Sequence, residues 1–195
     1  MNAILQPILR TDVSGMPIEW IYYQTAVKLY YTDQVAYTCG TRLLTVHGGT
    51  NAKTGTQSTL DIASIVATRG CNKKLHENLV PGLNNPTLFR RDGHLCMYCG
   101  ESFDYKDLSR DHIIPVVQGG KDIWTNVVAS CKRCNNIKGG RTPEQANMHL
   151  IAVPFQPTYA EYIYLKGKHI LGDQMAFLSA HFPRNSPLLD RMAKS

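Results

Sequence analysis

Two Cys-x-x-Cys pairs, Cys96-Met97-Tyr98-Cys99 and Cys131-Lys132-Arg133-Cys134, are separated by 31 residues. Asp111-His112 lies between them, and Asn135 follows the last cysteine directly. Each pair lets two thiolates reach one ion from a single tight knuckle. Two knuckles complete a tetrahedral four-sulfur shell with no open position, the pattern of structural zinc. The polar trio beside them suggests that such a zinc holds a second, catalytic ion site in shape.

Short elements must position these groups. Leu108 to Pro115 reads as a strand, and neighbouring strand residues point to opposite faces. Asp111 and His112 should therefore not approach one target identically unless the backbone is irregular. Gln118-Gly119-Gly120-Lys121-Asp122 is a turn-rich loop, and Trp124 to Ala129 brings the chain back as a second strand. A helix over Lys132 to Lys138 then carries Asn135. The expected core is two strands, a loop and a helix, pinned by zinc at one end.

Around this core, Asn84-Asn85-Pro86 marks a seam, and Thr87 is placed to cap a short helix through Arg91. Thr142-Pro143-Glu144-Gln145 predicts a capped helix over 143–150. Upstream, a strand over 18–22, a helix over 24–32, and strands over 35–38 and 42–47 are expected, the latter two separated by a Cys39-Gly40-Thr41 turn. Residues 48–59 read as an exposed loop, and 61–69 as β-prone. Downstream, Thr158 and Glu161 repeat the capping pattern, and a second helical pattern covers 172–181. The chain divides into an accessory α+β region (1–85), a core (86–150) and a helical C-terminal extension (151–195), an α+β fold overall. Trp20, Tyr22, Tyr23, Tyr30 and Tyr31 could stack bases, but their spacing favours core packing; the single Cys39 and Cys71 are assigned to buried thiols.

A chain of 195 residues with 18% charged and 43% hydrophobic residues is ordinary for a globular protein. No apolar run approaches a membrane span, and residues 1–10 lack the features of a secretory signal. An intracellular, reducing compartment is expected, which favours metal over disulfide for paired cysteines. The net charge of +6 is modest. Its densest patch, residues 131–141, holds Lys132, Arg133, Lys138 and Arg141 without an acid. That surface suits a polyanion, and a solvated helix face accounts for it equally well.

Taken together, Cys-x-x-Cys, Asp111-His112-Ile113-Ile114-Pro115, Gly119-Gly120, Trp124-x-Asn126-Val127-Val128 and Cys-x-x-Cys-Asn-x-x-Lys ending at Lys138 resemble the HNH endonucleases of the ββα-metal fold, in their bacterial and phage forms. The resemblance implies His112 as general base on the attacking water. It implies Asp111 and Asn135 as ligands of a catalytic divalent ion, Mg²⁺ or another such as Mn²⁺, and Asn126 as a brace for the loop beneath the histidine. It further implies a DNA substrate, with RNA open, and products with 5′-phosphate and 3′-hydroxyl ends. A lone site of this kind cuts one strand, so double-strand cleavage needs a homodimer or two nicks. The rival readings are a non-catalytic zinc-stabilised nucleic-acid-binding module and a zinc-stabilised protein-interaction domain.

Overall fold

The computed structural model describes residues 5–71 and 79–192; the start of the N-terminal segment read for a signal lies outside them. In chain order the elements are β1 (Ile8–Thr11), β2 (Pro17–Ile21), α1 (Tyr23–Tyr31), β3 (Val35–Thr50) and β4 (Gln57–Thr68). They continue with α2 (Asn85–Arg91), β5 (Leu108–His112), β6 (Val127–Cys131) and α3 (Lys132–Lys138). The chain ends with α4 (Tyr159–Lys166), α5 (Gly172–Ser179) and α6 (Pro187–Met192). They form two compact units, residues 1–79 with 159–195 and residues 80–158.

The first unit is a four-stranded sheet in the order β2-β1-β4-β3, with β1 and β4 parallel and the other pairs antiparallel. Ile8, Ile21, Ile62 and Val66 from the sheet bury against Ala26 and Leu29 of α1, with Tyr23 and Tyr30 at the margin. Of the aromatics assigned to the core, Tyr31 is instead 91% exposed and Tyr22 half exposed. The flanks treated separately in the sequence pack on each other here. Trp20 Nε1 donates to Ile163 O at 2.7 Å, and buried Gln174 donates through Nε2 to Pro7 O and Ser64 O at 2.9 Å each. All three hydrogen bonds join residues far apart in sequence, which local patterns do not report.

Several expected elements take another form. Gly40 does not turn the chain; it sits at a register irregularity inside one continuous β3, with φ +82°. A Cβ there would meet Ser64 Oγ at 2.1 Å, so the bulge needs glycine. The loop expected over 48–59 is the end of the β3–β4 hairpin, paired through His47–Thr59 and Thr50–Gln57. Both its faces are exposed, so it lacks the hydrophobic alternation that marks a strand. Cys39 is half-buried and Cys71 exposed, against the buried positions expected.

The second unit is built on an α2 capped by Asn84, whose Oδ1 accepts from Thr87 N at 3.1 Å; Thr87 was the expected cap. At its C-terminal end every guanidinium N–H of the fully buried Arg91 finds an acceptor. Nε and Nη2 donate to the Asp92 carboxylate (2.7 and 3.1 Å), Nη1 to Trp124 O and Phe155 O (2.7 and 3.0 Å), and Nη2 also to Val127 O (2.8 Å). Asp92 Oδ2 in turn accepts from Ala129 N at 2.7 Å, which satisfies the outer edge of β6. The helix expected over 143–150 does not form: the capping pair closes, Thr142 N to Gln145 Oε1 at 2.9 Å, but residues 143–147 make only hydrogen-bonded turns. Asn147 takes φ +52° and reverses the chain, so that Met148 packs on the cysteines and Ile151 N reaches Met97 O.

Replacing Arg91 with Met should strand the buried Asp92 carboxylate and three carbonyls, at a cost of about 3–5 kcal/mol. Urea unfolding followed by Trp124 fluorescence in a Trp20→Phe background measures it; a loss below ~1 kcal/mol would contradict this account of the packing.

Candidate active site and metal centre

The two knuckles meet. The four sulfurs of Cys96, Cys99, Cys131 and Cys134 lie within 4.8 Å of one another, with Cys99 exposed and Cys96 and Cys131 buried. A tetrahedral zinc with Zn–S near 2.3 Å needs sulfurs about 3.8 Å apart, which this cluster can reach by small side-chain rotations. Burial opposes ionisation of Cys96, but the amides of Cys99, Cys131 and Tyr98 outweigh it and bring the thiol down to about 7. Burial pushes Cys134 up, and the neighbouring Cys131 and Cys96 sulfurs add to the effect. Sulfurs that hinder one another's ionisation in this way are a donor set suited to a cation.

From the cluster, β6 and β5 run antiparallel, pairing Asp111 with Val128 and His112 with Val127. The alternation of β5 sorts the site. Ser109 and Asp111 turn towards α3, where Asn135 and Lys138 share one face by their three-residue spacing. Asn135 Nδ2 donates to Ser109 Oγ at 2.9 Å, and Lys138 Nζ to Asp111 Oδ1 at 3.0 Å and His112 O at 2.7 Å. Tyr98 OH donates to the second oxygen of Asp111 at 2.5 Å; burial, with the charge and hydrogen bond of that carboxylate, pushes the phenol up. Arg110 and His112 turn the other way, and both meet Asp122.

His112 Nε2 lies 2.9 Å from Asp122 Oδ1, and Arg110 Nη1 donates to Asp122 Oδ2 at 2.6 Å. Burial works against ionisation of Asp122, yet the Arg110 guanidinium and then His112 hold its carboxyl below the usual range. Asn126 is buried beneath the loop: Oδ1 accepts from Ile114 N at 2.9 Å, and Nδ2 donates to Ile114 O at 3.1 Å and Lys121 O at 2.8 Å. Gly120 closes this knot, since a Cβ there would sit 1.7 Å from Ile114 O. Despite their opposite faces, Asp111, His112, Asn135 and Lys138 line one shallow cleft of about 250 Å³.

The basic candidates divide. Lys132 and Arg133 are exposed, with Lys132 Nζ 3.8 Å from Asp107. Arg141 donates to Lys138 O and Ile137 O and so closes the end of α3. Lys138 departs from both readings of the sequence: it is neither on a solvated face nor extended towards a ligand, but buried against Asp111. Its spacing from Asn135 signals this position in retrospect. Tyr98 and Asp122 were not singled out in the sequence. Tyr98 is hidden in the variable interior of a knuckle, and Asp122 comes into place only through the loop's conformation.

The family model described as HNH endonuclease matches residues 96–151. A CRISPR-associated endonuclease Cas9 of Corynebacterium diphtheriae is 39% identical over 51 residues, 26% of this chain and 5% of that protein. The chain thus spans a small part of the length of that curated relative. The crystal structure of the Type II-C Cas9 enzyme from Actinomyces naeslundii aligns with 62% of this chain and 12% of its own, at 19% identity and a TM-score of 0.28. The matched segment contains both knuckles, the Asp111-His112 pair, Asn126 and Asn135, and residues 96–151 of this chain are similar to the HNH endonuclease family.

Proposed function

We propose that the unit formed by residues 80–158 is a metal-dependent endonuclease that hydrolyses phosphodiester bonds in DNA. The observation that carries this reading is the convergence of Asp111, His112 and Asn135 on one cleft beside the four-cysteine cluster. In this reading the cysteines hold a structural Zn²⁺ that ties the knuckle carrying Tyr98 to the start of α3.

The residues fit a second ion of the Mg²⁺ type. Asp111 accepts one hydrogen bond on each oxygen, and a carboxylate has lone pairs for about four. Asn135 spends its NH₂ on Ser109, which leaves Oδ1 as a hard donor. Such an ion, when bound, supplies positive charge at the phosphoryl oxygen and the departing 3′ oxygen.

The protein's own groups do the remaining work. His112 accepts a proton from water as the oxygen attacks phosphorus; the P–O3′ bond breaks and the departing 3′ oxygen takes a proton from solvent water, leaving 5′-phosphate and 3′-hydroxyl ends. Asn126 holds the loop on which the histidine's surroundings depend. Lys132 and Arg133, exposed at the start of α3, offer charge to the backbone and carry no sequence information.

Three outcomes are expected. The purified protein should nick supercoiled plasmid with Mg²⁺ or Mn²⁺ and not with EDTA, and His112→Ala should slow nicking by roughly 10²–10⁴-fold. Wild-type nicking by His112→Ala would remove the proposed base, and DNA binding without cleavage of any DNA or RNA form would favour the non-catalytic module. Asn126→Asp replaces a donor by an acceptor facing two carbonyls; turnover should fall at least tenfold with zinc content unchanged, and unchanged turnover would contradict the brace. Stripping zinc and returning Mg²⁺ alone should leave the protein inactive, and Zn²⁺ with Mg²⁺ should restore it; full activity with Mg²⁺ alone would contradict a structural zinc.

A further inference from the structure

We propose that Asp122 is the positioning residue that orients His112 and fixes which ring nitrogen accepts the proton. The inference rests on His112 acting as base, and adds to that reading a residue and a tautomer. Asp122 Oδ1 lies 2.9 Å from His112 Nε2. A carboxylate held ionised can only accept, so the hydrogen on this contact belongs to the imidazole. The neutral ring is thereby set as the Nε2–H tautomer, with the lone pair on Nδ1. Nδ1 is then the atom that takes the proton from water, and the imidazolium that forms remains paired with Asp122.

Two sets of contacts fix the carboxylate itself. Its other oxygen accepts from Arg110 Nη1 at 2.6 Å, and Arg110 Nε donates to Asn85 Oδ1 at 2.8 Å, at the start of α2. Arg110 and His112 are two residues apart on β5, so strand alternation presents both to the same carboxylate. From the backbone side, Asn126 Nδ2 holds Lys121 O at 2.8 Å, one residue before Asp122, and Ile123 N donates to the same carbonyl at 3.1 Å. The bracing asparagine therefore reaches the histidine by way of Asp122. Asp122 is about half exposed, so the contact is held by this geometry and not by burial. Interactions that orient a reacting imidazole through its second nitrogen fix both tautomer and ring angle.

The test combines a double-mutant cycle with a readout that needs no activity. In plasmid nicking with Mg²⁺ and the zinc-loaded full chain, Asp122→Ala is expected to lower kcat by about 10–100-fold with KM within about twofold, because it misplaces a group without removing it. In a His112→Ala background the same change should alter the residual rate by less than about twofold. Long-range ¹H–¹⁵N spectra at alkaline pH should show His112 as the Nε2–H tautomer in the wild type and a mixture in Asp122→Ala. Asp122→Glu, which keeps the acceptor, should recover part of the lost kcat. A loss that persists at equal size in the His112→Ala background, or a ring tautomer unchanged by Asp122→Ala, would overturn the proposal. Wild-type nicking by His112→Ala is a separate failure, of the base itself, while the tautomer measurement still judges the Asp122 contact.

Discussion

The buried Arg91–Asp92 pair is the constraint on which the rest of the second unit depends. One guanidinium gathers carbonyls from Trp124, Val127 and Phe155, and one carboxylate takes the free N–H of Ala129. The end of α2 is thereby fixed to the turn before β6, to β6 itself and to the segment that leaves the core. Met97 N donates to Ala129 O at 2.9 Å, so the first knuckle is registered on the same residue. The cysteines close the same frame that this pair ties together. Breaking a buried pair leaves an uncompensated charge, which makes the alignment costly to lose.

Within that frame, β5 acts as a partition. One face gives Ser109 and Asp111 to α3, where Asn135 and Lys138 meet them; the other gives Arg110 and His112 to Asp122. The arrangement keeps the Asp111 side, the proposed site of the catalytic ion, apart from the imidazole while both open to one cleft. Lys138 holds positive charge against Asp111 where the proposed ion also has its ligand. The loop between the strands is held by polar contacts and close backbone packing: Asn126 bridges Ile114 and Lys121, and Gly120 packs against the Ile114 carbonyl.

The motif residues were legible in the sequence because knuckle spacing, the Asp-His pair and the helix from Lys132 to Lys138 are local patterns. What escaped depends on distant partners or on backbone shape. The capping pair at Thr142 and Gln145 was read correctly, yet the segment makes only turns: Asn147 takes a positive φ, and Met148 packs on the cysteines. Gly40 looked like a turn and is a bulge, which only Ser64 and Asp173 on other elements reveal. Lys138 looked exposed because its partner, Asp111, is on another element, and Asp122 joined the site only once the loop closed.

The proposed function turns on hydrolysis of phosphodiester bonds at this cleft, by attack of water with loss of the 3′ oxygen. The most direct test is resealing of the nicked plasmid made with Mg²⁺ by DNA ligase, without prior phosphatase or kinase treatment. The account predicts closed circles at a yield close to that of a plasmid carrying authentic 5′-phosphate and 3′-hydroxyl nicks. Nicks that ligase seals only after end repair, or a zinc-loaded protein that makes no nick with either ion, would contradict it.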